Sequence, residues 1–498
     1  MLMLAAQINK RFPHLRFRRQ FLFGPEAYAP NVAWNVHRFD DWLFLSAHRD
    51  VESLILSSAG RTIGLVGYLI DSAIPAASSE EILKRMLDES SSADDLFRRA
   101  DALSGRWVLL YKDATECAVF TDPCGFRQVY YAEAGGTFWC GSQPEIIRQV
   151  AGLKKTADSR LKSFLASEGY RRQESAWVGA GTIYDRCSHL LPNHFLCLRR
   201  REAMRFYPRS PLPAMDTANA VEEASRILRG SIEGMALRAP LMLPVTAGYD
   251  SRVLLAASRN VKERVVYYVD RMGMHGEEHP DVAVPTALAR ILGLRFTVLD
   301  SAETVPRWFA RLNCMNVTRA RNLPKTRMIY AHYKSGTAAV NVNGNASEIC
   351  RNFFDKKRTL DQRGLSAADL SRLLFHQETD FAVTELDIWL KDARGALESG
   401  YEPLDMLYWE QRLGNWGAHF PAEQDIAIEE FSPFNNRRLI SLLLTCPAHL
   451  RVAPDYELYR QMIGKLWPEA LCVPFNPPHE PKASSSARFA GALRFGRG

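Results

Sequence analysis

The sequence predicts an α/β protein in two halves, and three features support this prediction. In the first half, Leu103–Asp122 reads as two alternating strands joined by a polar turn, which is typical of an antiparallel hairpin. In the second half, the apolar runs 241–245, 264–269 and 295–299 are separated by helical patterns, which is the order of a parallel sheet with crossover helices. The chain has 498 residues, more than one core usually supports, so two domains are expected.

The second half shows the clearest succession of elements. Leu241–Val245 is a continuous apolar run, as in a strand buried on both faces of a parallel sheet. Helices are predicted from Val253–Ala257 and over His279–Leu292, where Pro280 suits the first turn. A further strand is predicted over Ala338–Val342. This alternation predicts a doubly wound parallel sheet with its ligand at the carboxyl ends of the strands.

A short polar loop joins the first of these strands to its helix. It consists of Thr246, Ala247, Gly248, Tyr249, Asp250 and Ser251. The N–H groups at a helix N-terminus attract anionic oxygens, and a glycine lets the backbone approach a ligand closely. The two hydroxyls can donate hydrogen bonds, and the carboxylate can hold magnesium. The loop therefore suits phosphate binding, although it is not a Walker loop and an ordinary strand-to-helix turn has the same pattern.

The segment VTAGYDSR resembles the pyrophosphate-binding loop of the asparagine-synthetase-type ATP pyrophosphatases, which is written Ser-Gly-Gly-x-Asp-Ser. Thr246 stands for the serine and Ala247 for the first glycine. The resemblance implies an adenine-nucleotide α-hydrolase-like (PP-loop) synthetase domain that binds ATP through residues 246–251. Asn343–Glu348 resembles a second, more acidic family loop, which implies that Glu348 and Asp250 hold Mg²⁺ on the pyrophosphate. The alternative for Glu348 is a solvated loop residue.

Two later segments extend this resemblance. Glu430–Leu439 is similar to the family's Pro-Phe-Leu-Asp-x-Arg-Leu segment, with Asn436 in place of the aspartate. Tyr456–Trp467 resembles the Lys-x-x-Leu-Arg helix that lies near the ligand phosphates. The resemblance implies that Arg460, or the nearest downstream lysine, Lys465, offsets the charge of departing pyrophosphate. An ordinary amphipathic helix with a solvated arginine is the alternative.

The first half resembles the Ntn-hydrolase-like glutaminase domain of the same enzymes, an α+β sandwich. The resemblance rests on Leu103–Asp122, Gly125–Tyr131 and Gly181–Tyr207. Glutamine hydrolysis in that family needs a cysteine exposed as the first residue, whereas this chain begins Met-Leu-Met-Leu. The first cysteine, Cys117, lies in a predicted strand, where a buried thiol is expected. The resemblance therefore implies a degenerate glutaminase-like scaffold.

The predicted domains are residues 1–207, residues 208–480 and a disordered basic tail at 481–498, with Pro208–Pro213 as the linker. The hydrophobic fraction of 47% and the charged fraction of 24% are typical of a soluble globular protein, and no apolar run could span a membrane. The nine cysteines show no zinc or disulfide pattern, so a reducing cytoplasm is the simplest location.

The charge distribution argues against a nucleic-acid partner. The net charge is +7, but nine positive charges lie in the first twenty residues and the tail, so the body carries about −2. A nucleic-acid-modifying relative would carry a basic stripe on its folded body instead.

The resemblance implies an ATP-dependent ligase that activates a small-molecule or peptide carboxylate as an acyl-adenylate and releases AMP and pyrophosphate. Ammonia or another amine then forms the amide, without glutamine hydrolysis. An intramolecular relative, such as a β-lactam synthetase or peptide macrolactam cyclase, and an inactive binding homologue are the alternatives. The sequence leaves the acid, the amine and a homodimer open. The loop residues that could line an acceptor pocket, although each alone is typical of a solvated surface, are His275, Glu277, Glu278, Arg319, Arg321, Arg327 and Arg412.

Overall fold

In a computed structural model of the chain, the residues described are 11–273, 275–318, 323–362 and 364–478. The predicted disordered tail and the first residues of the chain lie outside these ranges. In the described part of the chain, every helix is too short or too polar to cross a membrane.

The strands of the first half form two six-stranded antiparallel sheets. The strands are β1 Phe21–Gly24, β2 Trp34–Arg38, β3 Phe44–His48, β4 Ser53–Ser58, β5 Arg61–Asp71, β6 Leu103–Lys112, β7 Cys117–Thr121, β8 Tyr130–Ala134, β9 Thr137–Gly141, β10 Cys187–His189, β11 His194–Cys197 and β12 Glu202–Arg205. One sheet has the order β10-β8-β9-β1-β3-β2 and the other β12-β11-β7-β6-β5-β4. Buried side chains from both sheets, including Phe21, Leu45, Val66 and Val119, share one apolar cluster. The first half is thus the predicted sandwich.

The strands of the second half form a five-stranded parallel sheet. They are β13 Leu241–Pro244, β14 Val265–Asp270, β15 Phe296–Leu299, β16 Val340–Val342 and β17 Glu429–Phe431, in the order β15-β14-β13-β16-β17. The registers are parallel throughout: Leu241 pairs with Val265 on one side and with Val340 on the other. The order runs outward from β13 in one direction and then reverses at β16. Such a reversal leaves a crevice between the loops that follow the two strands.

Helices cover the sheets and connect the strands. They are α1 Ser79–Glu89, α2 Ala93–Ala100, α3 Pro144–Ala151, α4 Ser159–Ala166, α5 Glu168–Arg172, α6 Thr217–Arg238, α7 Tyr249–Ala257, α8 Pro280–Leu292, α9 Arg307–Asn316, α10 Leu323–Ser335, α11 Ala367–Leu373, α12 Asp380–Glu398, α13 Pro403–Met406, α14 His419–Gln424, α15 Arg437–Thr445 and α16 Glu457–Leu466. The π-helical segment Leu407–Gly417 follows α13, and short 3₁₀ turns lie at Pro13–Leu15, Arg259–Arg264, Ser347–Cys350, Ala448–Arg451 and Pro468–Leu471. Helix α6 packs on both α15 and α16, beside the sheet.

The predicted α/β fold class is confirmed, and its elements lie close to their predicted positions. The hairpin over Leu103–Asp122 consists of β6 and β7, and Cys117 is a buried strand residue, whose burial raises the pKa of its thiol to about 12. The predicted helix over His279–Leu292 begins at Pro280, because the side chain of His279 accepts the N–H of Asp281 and caps the helix. The helix predicted over Tyr456–Trp467 is α16.

Buried charges join the two halves. Arg106 on β6 donates to Asp425 at 2.6 Å and to Glu429 on β17 at 2.9 Å, and Arg127 donates to Glu429 at 3.0 Å. Arg106 and Arg127 are 3% and 1% exposed. Buried ions need such partners, because their transfer from water is costly. The contact between the sandwich and the parallel sheet is therefore a specific one.

Candidate functional site

The candidate site lies where the order of the parallel strands reverses. The loop 245–248 leaves the carboxyl end of β13, and the loop 343–346 leaves the neighbouring strand β16. The two loops touch: a Cβ atom at Gly344 would lie 3.0 Å from the Cβ of Asp250. The topology thus brings together the loop and the carboxylates that the sequence predicts to act together.

The loop holds its own shape through hydroxyl groups. Ser251 Oγ accepts the N–H of Thr246 at 3.0 Å, and Thr246 Oγ1 accepts the N–H of Gly248 at 3.2 Å. Gly248 is the N-cap of α7, and the described residues supply no side chain that caps this helix. The first N–H groups of a helix have no intrahelical acceptor, so an uncapped N-terminus attracts an anion. The loop therefore presents the start of α7 to a ligand.

The backbone of Ala247, which the sequence predicts to bind phosphate, is hydrogen-bonded within the protein. The residue is 1% exposed, so its methyl group is packed inside the protein. Its N–H donates to Asp281 Oδ1 at 3.1 Å, and its carbonyl accepts the N–H of Asn476 at 3.1 Å. The backbone of Ala247 is thus bound by the protein itself. It shapes the loop, and in this conformation it offers no N–H to a phosphate.

Arg351 links the two predicted metal-binding carboxylates. Its Nη2 lies 2.9 Å from Asp250 Oδ2 and 3.5 Å from Glu348 Oε1. Its guanidinium also lies 5.2 Å from the ring centre of Tyr456. The site therefore contains two carboxylates, one guanidinium and a helix N-terminus at one edge of the sheet.

These charges shift one another's ionisation. Burial, and then the negative charge of Asp250, raise the pKa of Glu348 to about 7, while Arg351 opposes the increase. The two carboxylates in turn raise the pKa of Arg351, so that it stays charged. A second buried carboxyl, Glu430 on β17, accepts the amides of Asn341 at 2.9 Å and Asn343 at 2.5 Å, and burial raises its pKa to about 7. Two acids near the strand ends are thus poised to change charge near neutral pH.

The carboxylate pair fits Mg²⁺ only when a ligand supplies further oxygens. Among the described residues, no cluster of three or more His, Cys, Asp and Glu side chains is arranged to hold a metal ion. Asp250 Oδ1, however, is buried and has no hydrogen-bond partner in the described structure. Magnesium often takes only one or two carboxylates, with water and substrate phosphates completing its coordination. Asp250 and Glu348 therefore fit an ion that enters with a polyphosphate.

A short C-terminal segment, Val473–Asn476, packs over one side of the loop. The ring of Phe475 stacks on Tyr249 with centroids 4.1 Å apart, and the buried Arg252 donates to the carbonyl of Val473 at 2.7 Å. Tyr249 is 4% exposed. Its ring is thus held against this segment, as a packing residue of the loop.

The contacts of the two cations predicted on α16 are with residues other than Asp250 and Glu348. Arg460 is half-exposed, with its guanidinium 5.6 Å from the ring centre of Phe475 and 3.9 Å from Glu457. Lys465 pairs with Glu222 on α6 at the surface. In this structure the cation beside Asp250 and Glu348 is Arg351, and the catalytic role expected for Lys465 has no support from its position.

The residues predicted to line an acceptor pocket, and Asn436, differ in their burial and in their contacts. The ring of His275 stacks on His279 at 3.9 Å, and Arg412 lies 4.1 Å from the ring centre of Trp416. Glu277 and Glu278 are exposed, Arg327 is half-buried, and Arg319 and Arg321 lie outside the described residues. Asn436 caps α15 by accepting the N–H of Leu439 at 2.9 Å. Of these side chains, Arg412 lies close enough to Glu348 for that charge to act on it: burial lowers the pKa of Arg412, and Glu348 opposes the decrease.

Sequence reasoning missed Arg351 and Asp281. Arg351 lies three residues after Glu348, and a turn of 3₁₀ helix, Ser347–Cys350, brings it back towards Asp250. Asp281 lies in the first turn of α8, the helix that follows β14, and β14 is the neighbour of β13 in the sheet. Spacing could have indicated Arg351, because residues three apart share one face of a helical turn.

No family model matches the chain, and no curated protein does. Among solved structures, a glutamine phosphoribosylpyrophosphate amidotransferase from B. subtilis, in complex with ADP and GMP, is 10% identical over 59% of this chain and 62% of its own, with a TM-score of 0.24. The allosteric regulatory enzyme of purine biosynthesis is 13% identical over 63% and 77%, with a TM-score of 0.26. An NH3-dependent NAD synthetase from Campylobacter jejuni is 14% identical over 40% and 94%, with a TM-score of 0.21. The chain spans less than two thirds of the first of these. Likeness this remote carries no argument, so the fold class rests on the strand orders above.

Proposed function

We propose that this chain is an ATP-dependent, amide-forming ligase of the asparagine-synthetase type. It activates a carboxylate as an acyl-adenylate, with release of pyrophosphate, and transfers the acyl group to an amine, with release of AMP. The observation that carries the proposal is the meeting of the uncapped start of α7 with Asp250, Glu348 and Arg351 at the reversal of strand order. This combination suits a polyphosphate with its magnesium.

The residues of the chain would act mainly by positioning and by stabilising charge. The N–H groups at the start of α7 bind oxygens of the polyphosphate, and Thr246 and Ser251 keep the loop in shape. Bound magnesium supplies charge neutralisation on the pyrophosphate, and Asp250 and Glu348 are the residues that would hold it. Arg351 supplies a fixed positive charge beside them. Arg460 lies over Phe475, which stacks on Tyr249 of the loop, and would offset the charge of the departing pyrophosphate from there.

The first half supports a source of nitrogen other than glutamine hydrolysis at Cys117. That thiol is buried in β7, and its raised pKa keeps it protonated at neutral pH. Buried arginines and acids instead tie β6 to the synthetase half. We therefore assign residues 1–207 the role of a structural lobe, residues 208–480 the ligase activity, and the amine the role of a separate substrate or a second group of the same substrate.

Release of pyrophosphate tests this proposal. The full chain is incubated with ATP, Mg²⁺ and mixtures of metabolite carboxylates and amines, and products are identified by mass spectrometry. We expect pyrophosphate and an amide in one mixture or more, and a rate about 100-fold lower in Asp250→Asn. The matched control is Asp387→Asn, an exposed aspartate that pairs with Lys391 on α12. Equal rates in the two variants would contradict the proposal.

An inactive binding homologue is the second candidate. The pairing of the Ala247 N–H with Asp281 favours it, because one loop donor is already satisfied by the protein. This alternative predicts that the chain binds ATP or another anion but releases pyrophosphate in none of the mixtures. The same assay, run beside equilibrium binding of ATP, therefore separates the two candidates.

A further inference from the structure

A cavity of about 260 Å³ lies between the two halves, and the site described above does not use it. Its walls include Tyr130 and His189 from the sandwich, Trp177 from the loop before β10, Thr318 after α9, and Asn415 from the π-helical segment. The ring of Tyr130 stacks on that of His189 with centroids 4.6 Å apart. The volume exceeds what one or two waters need and is smaller than a drug-sized pocket. A single-ring molecule fits it best.

The hydrogen-bond network fixes the chemical character of His189. Asn415 donates through Nδ2 to the carbonyl of Gly179 at 3.0 Å, so its Oδ1 is the atom that faces His189 Nδ1 at 3.1 Å. His189 Nδ1 must then carry the proton. Burial lowers the pKa of His189 to about 4, so the ring is neutral and Nε2 is a hydrogen-bond acceptor. The residue is 2% exposed, and Nε2 has no partner among the described residues.

Trp177 supplies an unused hydrogen-bond donor, to match the unused acceptor of His189. Its indole Nε1–H is buried and finds no acceptor in the described structure. The indole is fixed by edge contacts with Phe164 and Phe381, at 5.9 and 5.8 Å between ring centres. Indole N–H is a donor only. Buried polar atoms are normally satisfied, so an unused acceptor and an unused donor around one cavity point to an occupant that completes both.

We propose that this cavity binds a small, neutral, flat molecule that carries both an N–H or O–H donor and a carbonyl acceptor, such as an aromatic or heterocyclic amide. The donor of the ligand binds Nε2 of His189, and its carbonyl accepts from Nε1 of Trp177. The aromatic walls cover the faces of its ring. Two charged side chains also line the cavity: Lys155 is exposed, and the carboxylate of Glu145 already accepts the hydroxyl of Tyr184 at 2.8 Å. The proposal does not depend on ligase activity.

Benzamide tests the proposal as a probe, by calorimetry and ligand-observed NMR on the full chain. Acetophenone has almost the same shape and keeps the carbonyl but lacks the donor, and benzoate carries a charge. We expect saturable benzamide binding in the millimolar range and binding at least about fivefold weaker for acetophenone and benzoate. Absence of saturable benzamide binding would show a water-filled cavity and overturn the proposal, as would equal binding of acetophenone.

A matched pair of variants locates the probe. Trp177→Phe removes the indole donor, and we expect it to weaken benzamide binding about fivefold. Trp42→Phe changes an indole that is 77% exposed and does not line the cavity, and we expect no effect. Equal binding by both variants would place the probe elsewhere and overturn the assignment. If Trp177→Phe lowers the melting temperature, the comparison of benzamide with acetophenone on the unaltered chain still decides.

Discussion

Substitution of Glu348 by Gln should stabilise the protein, increasingly so at higher pH. The pKa of Glu348 rises from its ordinary value of 4.5 to about 7 in the folded chain, chiefly because the carboxyl is buried and secondly because Asp250 lies nearby. Between these two values the folded state keeps a proton that the unfolded state has released. Ionisation of Glu348 therefore costs stability as the pH rises through this window. A glutamine of similar shape avoids that cost.

The expected change in the free energy of unfolding follows from the pKa shift of Glu348. A difference of about 2.5 pKa units corresponds to at most about 3 kcal/mol, of which about 2 kcal/mol falls between pH 5.5 and pH 8.5. This is an upper value, because a quarter of the Glu348 side chain remains exposed and water screens it. Arg351 keeps its closer partner, Asp250, at 2.9 Å in the variant. The glutamine should thus remove a cost without breaking the nearer ion pair.

Thermal unfolding at a series of pH values measures the effect. The melting temperature of Glu348→Gln minus that of the unaltered chain should rise between pH 5.5 and pH 8.5 by roughly 4–8 °C if the parallel-sheet half unfolds as one unit. Glu303→Gln, an exposed glutamate paired with Lys334, is the control and should show no such slope. A flat difference, or one that falls with pH, would refute the reasoning.

Two further predictions concern contacts between the halves. Asp425→Ala leaves Arg106 buried with one partner fewer and should lower the free energy of unfolding by about 3–5 kcal/mol, seen as a lower melting temperature. The double variant Arg106→Met with Asp425→Leu should recover part of this loss. A double variant no more stable than Asp425→Ala would contradict the prediction. Asn436→Ala removes the side-chain cap of α15 and the amide that donates to the carbonyl of Ala102 at 2.9 Å. We therefore expect the free energy of unfolding, measured in denaturant, to fall by about 2–4 kcal/mol. The control Asn260→Ala, at an exposed position, should leave it unchanged.

The parallel half is predictable in part, because β13 and β14 are short, largely apolar runs separated by a helical pattern, whereas β17 carries two glutamates and no strand is predicted there. Leu241–Pro244 ends one residue before its predicted bound, and Val265–Asp270 is displaced by one residue at both ends. The position of the loop also followed, because the topology of a doubly wound sheet places it at the reversal of strand order. Around β13 and the loop that follows it, the apolar pattern of the sequence and the observed fold therefore agree.

The partners of the site were harder to predict, because contacts between distant segments decide them. Nothing local to Ala247 indicates that Asp281 will accept its N–H or that Asn476 will bind its carbonyl. The resemblance implies a role for Lys465 as the nearest lysine downstream of Arg460, but in the structure its ammonium pairs with Glu222 on α6. The spacing of Arg351, three residues after Glu348, brings its side chain to the carboxylates only if this segment forms a helical turn, and the 3₁₀ turn Ser347–Cys350 is seen only in the structure.

Binding of Mg²⁺-ATP to Gly248→Ala tests the central claim most directly. Gly248 has φ −80°, and an added Cβ would meet only ordinary contacts, 3.4 Å from Thr246 Oγ1 and 3.7 Å from Asn476 Oδ1, so the variant should fold. The methyl group would nevertheless stand where phosphate must approach the start of α7. Calorimetry should show micromolar ATP binding to the unaltered chain and to Gly395→Ala, an exposed position of α12. Binding to Gly248→Ala should be at least about tenfold weaker, at an unchanged melting temperature. Equal affinity in all three proteins, or no binding to the unaltered chain at millimolar ATP, would contradict the assignment of this loop to nucleotide binding.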